Sequence, residues 1–360
     1  MSMMARGRSR YLTIVSAAFL LYLTFPYLRY VGDYVRQTNP FSGQKEIEQA
    51  FVATEKELAC LKGAAIPGEA APSGRADPIP NIVHFIFGLK NPLDHPGAGH
   101  FDFMTYLAVR SAIVSLKPDA VYLHYTYLSE PPSPDAHADP FTNPWVQRLR
   151  KDIKLVHHKP QTTAKQYAHM SDIMRLEFLR DQGGIYLDID SFALRSFEHI
   201  AKVPHPHDVV LGHEGGNRWG LCNAVIAARP NSTFVKRWLQ SYETADLNRE
   251  WNYHSVLWPK ETEQQYPSEV CALPPDAFFW PTWTWRHIDW MHETLSREAA
   301  DFWMAEIKKH GGSLFENQVA YHAWNQMAWD RYLSKLTPGI VRNRDTRFNL
   351  LMRRFLEDDV

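Results

Sequence analysis

Apolar residues along the chain fall into short continuous runs separated by stretches with helical spacing. Ile82-Val83-His84-Phe85-Ile86-Phe87 is a run of strand length that stops at Gly88, the pattern of a buried strand. Residues 103–116 read as a helix, 121–125 and 154–156 as strands, 168–181 as a helix and 185–187 as another strand. Strands follow at 209–211 and 224–228, with a helix over 234–242. This strand and helix alternation predicts an α/β domain with a largely parallel sheet, in which ligands gather at the carboxyl ends of the strands, near Gly88 and Asp188.

The N-terminal pattern is different. From Tyr11 to Leu28 there is no charged residue, and Arg6, Arg8 and Arg10 precede the run. Its length is at the short end of a membrane-spanning helix, and the bulky Tyr27, Leu28 and Tyr30 leave no small-residue cleavage site. The expectation is an uncleaved signal anchor over 11–31 with a cytosolic tail at 1–10, so that all that follows lies in the lumen (type II topology). Residues 32–78 read as stem and linker, with a short helix in 45–61 carrying Ile47, Phe51, Leu58 and Leu61. A Pro/Gly/Ala stretch over 63–80 follows. The folded domain is expected over 79–360.

Composition adds little beyond exclusion. The 360 residues carry a net charge of −1 with no basic stripe, which excludes a nucleic-acid surface. Cys60, Cys222 and Cys271 lack zinc-ligand spacing; a Cys222–Cys271 bridge with Cys60 free for an intermolecular bond, or three unpaired thiols, are both open. Asn231-Ser232-Thr233 is a glycosylation sequon, although Asn231 or Ser232 also suits the cap of the helix that follows. The basic tail 342–354, with Phe348, Leu350 and Leu351, reads as a solvated terminal helix, a membrane-surface contact being the other reading.

The chemistry concentrates between Ser171 and Asp190. Asp172 and Arg175 share a helix face, with Ser171 expected at the helix cap. Gly183-Gly184 breaks the helix, and Ile185-Tyr186-Leu187 leads into Asp188-Ile189-Asp190. On an extended segment Asp188 and Asp190 leave the same face while Ile189 points inward, and two carboxylates aimed together need a cation between them. Hard oxygen ligands favour Mn2+ or Mg2+.

The run from Ser171 to Asp190 resembles the signature of the Asp-x-Asp glycosyltransferases. It is most similar to glycosyltransferase family 32, whose relatives include fungal initiating mannosyltransferases and alpha-1,4-galactosyltransferases. The resemblance implies a GT-A fold: a single catalytic domain with a mostly parallel, Rossmann-like sheet and flanking helices. It further implies a metal-dependent, retaining hexosyltransferase that uses a nucleotide sugar, GDP-mannose or a UDP-hexose. A glycan, glycoprotein or glycolipid would be the acceptor, and the Golgi membrane the location. Oligomeric state, homo- or hetero-, is left open.

Residue by residue, the resemblance assigns Asp190 to the metal and Asp188 to the metal and the donor. Asp172 and Arg175 go to the donor sugar and its phosphates. Phe87 stands where relatives carry a base-stacking Trp. Tyr321-His322-Ala323-Trp324-Asn325 resembles the family's closing block, which makes His322 a third metal ligand and places Trp324 and Asn325 on the donor side. Asn223 is a donor-side or acceptor-side polar residue, and His254 with Ser255, near Trp251 and Asn252, is the weakest of the set. No further acid has a sequence-level claim to be a nucleophile, so a front-face displacement fits the retaining chemistry. Two rivals remain: a phosphohydrolase of the haloacid dehalogenase type, which wants Thr or Val where Phe192 stands, and a catalytically inactive luminal partner subunit of the same fold.

Overall fold

The computed structural model describes residues 15–16, 18–20, 22–25, 51–69, 77–95, 100–128, 139–159, 167–244 and 252–359. The tail 1–10 and most of the expected anchor lie outside them. Its described parts are helical and largely exposed. Among the described residues no helix is long and apolar enough to cross a membrane.

Nine strands form the frame: β1 (Ile82–Phe87), β2 (Ala120–Tyr125), β3 (Lys154–His157), β4 (Gly184–Leu187), β5 (Ser191–Ala193), β6 (Val209–Glu214), β7 (Gly220–Ala228), β8 (Val270–Leu273) and β9 (Ala320–His322). Seven make one sheet in the order β3-β2-β1-β4-β7-β6-β8, and β5 pairs with β9 in a second, two-stranded sheet. Strand β7 runs antiparallel to both of its neighbours, β4 and β6; the remaining pairings in the large sheet are parallel. The α/β expectation with a mostly parallel sheet therefore holds.

Side chains alternate across this sheet as the pleat requires. Val83 and Phe85 of β1, with Ile185 and Leu187 of β4, meet helix α2 (Phe103–Leu116) on one face. Ile86 and Tyr186 meet α3 (Tyr167–Gln182) and α4 (Thr233–Glu243) on the other. Both faces are covered, which is why β4, β6 and β7 are buried at every position. Helix α2 starts at Asp102, whose carboxylate accepts the Thr105 N–H at 2.8 Å; α4 is capped by Ser232, so the sequon serine has the capping role and Asn231 sits before it in the left-handed region.

Glycine fixes two bends that aim strands at the site. At Gly88 a Cβ would fall 1.7 Å from the Tyr127 carbonyl oxygen, and at Gly184, with φ +103°, it would meet Ile82 at 2.6 Å. Both positions admit only hydrogen there.

Five expectations are corrected. Helix α1 (Glu55–Lys62), capped by a Thr54/Glu57 box, belongs to the folded body: Cys60 is fully buried and bonded to Cys271 of β8. Folded structure therefore begins on the N-terminal side of Ile79, and the bridge is Cys60–Cys271, leaving Cys222 as the free, buried cysteine. The basic tail is not a solvated helix. Its segment α5 (Arg347–Met352) buries Phe348, Leu351 and Met352, with Phe348 at 5.4 Å from Phe192, because the apolar residues face the underside of the β5–β9 sheet; Arg347 is buried too, donating to the Trp290 carbonyl and to Glu293, both at 2.6 Å. Ser171 lies inside α3 rather than at its cap. Asp188 and Asp190 lie past the end of β4 on a turn closed by the Ser191 N–H to the Asp188 carbonyl at 2.8 Å, not on extended strand, and Ile189 is half-buried at the cleft.

Candidate active site

The two-stranded sheet explains how the site is assembled. Strand β5 follows the acids directly and pairs antiparallel with β9, Ser191 opposite His322. The pairing sets His322 Nε2 3.2 Å from Asp190 Oδ1, while the other Asp190 oxygen accepts the Asn325 N–H at 2.7 Å. The Asp190 carbonyl accepts the Ala323 N–H at 2.9 Å. Trp324, between them, is held at φ 54°, a left-handed conformation uncommon for a bulky residue, and its indole donates to the Pro281 carbonyl at 2.9 Å. Its ring meets the His322 ring edge-on at 4.3 Å, so it fixes the imidazole.

Asp188, Asp190 and His322 each offer a ligand atom, all within 4.8 Å of one another. Two carboxylates and an imidazole suit a divalent cation such as Mn2+. The residues fit such an ion on a second ground: His322 Nδ1 and Asn325 Oδ1 are buried and have no hydrogen-bond partner.

Burial acts alike on the two acids, and their partners set them apart. It pushes the Asp188 carboxyl up, against the pull of Arg175 and with the charge of Asp190 adding to the rise. Burial acts on Asp190 in the same direction, but His322 and the Asn325 N–H outweigh it and hold that carboxyl below its usual range. His322 shows the reciprocal effect: burial alone would lower it, and Asp190 raises it above the ordinary histidine value.

Behind Asp188 stands a polar cluster on α3 and β7. Arg175 reaches Asp188 with Nη1 at 2.9 Å and Asp172 with Nη2 at 3.1 Å. It also donates to the Asn223 carbonyl at 2.9 Å and the Ser171 hydroxyl at 3.1 Å, and lies 4.4 Å from the Tyr186 ring. Asn223 donates its amide to Asp172 at 2.7 Å, and the Tyr186 hydroxyl donates to Asp188 at 2.6 Å. The sequence-predicted pair Asp172 and Arg175 is thus more than a surface salt bridge. Both are buried, and Arg175 orients one of the Asp-x-Asp carboxylates.

A cleft of about 1250 Å³ opens over these residues. It is lined by Asp172, Arg175, Asp188, Asp190, Asn223, His322, Trp324 and Asn325, and by Phe87, which packs edge-on against Phe101 at 5.2 Å. All the assigned site residues therefore meet at one place. Ser255 and Asn252 also line the cleft; the His254 ring instead packs on Tyr242 at 4.8 Å, and Trp251 lies outside the described residues.

Sequence reasoning missed Tyr186, Glu214, Trp219 and Trp283. Glu214 closes the apolar run of β6 immediately before Gly215-Gly216. An acid at the end of a buried strand followed by a glycine turn is the signal that could have found it; Asp188 shares only the first half.

A buried arginine clamp, paired acids at the end of a central strand and a late histidine define an Asp-x-Asp glycosyltransferase site. The family model described as "Glycosyltransferase sugar-binding region containing DXD motif" matches residues 105–207. Over 304 residues the chain is 34% identical to Glucan organizing enzyme 1 of Cryptococcus neoformans var. grubii serotype A, covering 81% of this chain and 74% of that protein. The chain belongs to this family of glycosyltransferases and is an enzyme, which sets aside the phosphohydrolase and the inactive subunit. Toxin Afp18 of Yersinia ruckeri serotype O1 is 31% identical over 135 residues, 37% of this chain and 6% of the toxin. Among solved structures, the apo form of the glycosyltransferase GlyE of Streptococcus pneumoniae TIGR4 gives a TM-score of 0.42 at 12% identity, covering 78% of this chain and 61% of GlyE. Mouse xyloside xylosyltransferase 1 gives 0.36 at 10% identity, covering 69% and 99%.

Proposed function

We propose that this chain is a metal-dependent retaining hexosyltransferase of GT-A fold that moves mannose or galactose from a nucleotide sugar to a glycan, glycoprotein or glycolipid. The observation that carries the reading is the convergence of Asp188, Asp190 and His322 within 4.8 Å at the floor of the cleft. A divalent cation bound there supplies electrostatic stabilisation to the departing nucleoside diphosphate. The protein's own part is positional. Asp190 and His322 would hold the ion, and Arg175 with Tyr186 fixes the Asp188 carboxylate toward it. Phe87 is placed to stack a base, and the half-buried Trp219 and Trp283 offer faces to sugar rings.

The glycan acceptor is favoured by the name of the Cryptococcus relative, which ties that protein to glucan organisation. A Golgi lumen location, with 11–31 as the anchor, is consistent with the Cys60–Cys271 bridge, since such bonds persist in oxidising compartments. The test is nucleotide release by the purified protein with Mn2+ and GDP-mannose, UDP-galactose or UDP-glucose, beside Asp190→Ala. Metal-dependent release from one donor that Asp190→Ala abolishes supports the reading; a beta-linked product from an alpha-linked donor overturns retention.

A further inference from the structure

Glu214 is a buried acid that the donor and metal assignments leave unused. It ends β6, which is parallel to β4 and separated from it by β7, so it emerges on the same sheet edge as Asp188, two strands away and further out, opposite Gly220 where Asp188 is level with Ala224. Only 4% of its surface is exposed, and that surface lines the cleft. Its Oε1 accepts the Trp283 indole N–H at 2.8 Å, and the Cys222 thiol lies beside it. Among the described residues no Lys or Arg forms a salt bridge with it, and His322 acts on it only through its field.

A carboxylate offers about four acceptor positions. Two neutral donors, one of them a weak thiol, leave this one under-satisfied, and a buried acid without a cation is retained at a cost unless something else uses it. An anion would be repelled there, whereas a group rich in hydroxyl donors and small enough to reach the cleft floor would supply the missing hydrogen bonds. Trp219 and Trp283, both half-buried on the same cleft, supply the apolar faces that a sugar ring covers.

We infer that Glu214 is the residue that receives hydroxyl groups of the donor hexose, with Trp283 as the positioning residue that holds its carboxylate. The inference rests on the proposed nucleotide-sugar reading and deepens it, by separating a hexose end of the cleft, at Glu214, from the diphosphate end at Asp188 and Asp190. Depth favours the donor over the acceptor sugar, because Glu214 is almost wholly covered while the acceptor must enter after the donor is seated.

The test compares binding of sugar nucleotides with that of the bare nucleotides. Isothermal titration with Mn2+ would measure GDP-mannose, UDP-galactose, UDP-glucose, GDP and UDP on the full chain, on Glu214→Gln and on Trp283→Phe. For the donor that the wild type binds, Glu214→Gln is expected to weaken the sugar nucleotide about tenfold or more, and to leave the matching bare nucleotide within about twofold. Trp283→Phe, which removes only the indole N–H, is expected to act in the same direction with a smaller loss and to raise KM more than it lowers kcat. Should Glu214→Gln fail to fold, Trp283→Phe decides alone. Equal affinity of variants and wild type for the sugar nucleotide, or an equal loss for sugar nucleotide and nucleotide, overturns the inference. A folded wild type that binds no sugar nucleotide overturns the underlying reading instead.

Discussion

Arg175 and Asp188 form a 2.9 Å ion pair in which the arginine is buried and the aspartate side chain keeps 28% of its surface open to the cleft. One end of the pair is structural and the other faces the chemistry. Arg175, which the resemblance assigns to the donor, also lines the cleft and holds the Asp188 carboxylate.

Removing the arginine is therefore expected to act on stability first. Arg175→Met strands Asp172 and Asp188 without their cation, and breaking a buried pair from one side costs about 3–5 kcal/mol. Urea unfolding would measure it. Adding Asp172→Asn should recover part of the loss, and a double variant no more stable than the single one would argue that Asp172 is satisfied by Asn223 alone.

His322→Ala should weaken Mn2+ binding at least about tenfold, the lower end of what even outer-shell partners of a metal site are worth. Titration calorimetry on a folded variant checks this. Unchanged affinity would remove His322 from the ligand set and leave the two aspartates with Asn325.

Oxidised protein should show one intrachain bridge, Cys60–Cys271, with Cys222 reacting with alkylating reagents only after unfolding, because it is buried and its thiol is pushed well up by burial. Cys60→Ser should cost about 2–5 kcal/mol. Non-reducing peptide mapping and thermal melts read both, and a Cys222–Cys271 peptide would contradict the arrangement.

Acid should weaken the fold through β1 and β2. His84 and His124, in hydrogen-bond contact at 3.1 Å, are held down chiefly by burial, to about 4 and about 3 from the ordinary 6.5. In the unfolded chain both rings take up protons below 6.5 while the folded protein refuses them. Stability is full above that value and falls as pH drops from 6.5 toward 4, approaching about 1.4 kcal/mol per pH unit for each ring. Urea midpoints at pH 7 and pH 5 test this; His124→Gln should flatten the slope by about one ring's share, and an unaltered slope would place the effect elsewhere.

The sheet was legible because its central strands are short apolar runs, and the helix over 103–116 because it is a longer apolar run between polar turns; 82–87 and 103–116 fall where the sequence put them. The acids, Arg175 and Asp172 were legible because their spacing is local. What could not be read was long-range. Cys60 with Cys271 and Asp190 with His322 meet only through the folded topology, and no spacing encodes those meetings. The tail 342–354 misled because its charges dominate its composition while Phe348 and Leu351 decide its place. Glu214 was passed over because the carboxylate is unremarkable in sequence, and its partner Trp283 lies far along the chain.

The pairing of β5 with β9 also orders events during synthesis. The segment matched by the family model, residues 105–207, contains both aspartates but not His322. A nascent chain can build the parallel half of the sheet and still lack the third candidate ligand until β9 emerges and zips onto β5. A chain stopped short of β9 would be a domain that looks folded from its N-terminal side while its candidate centre stays incomplete.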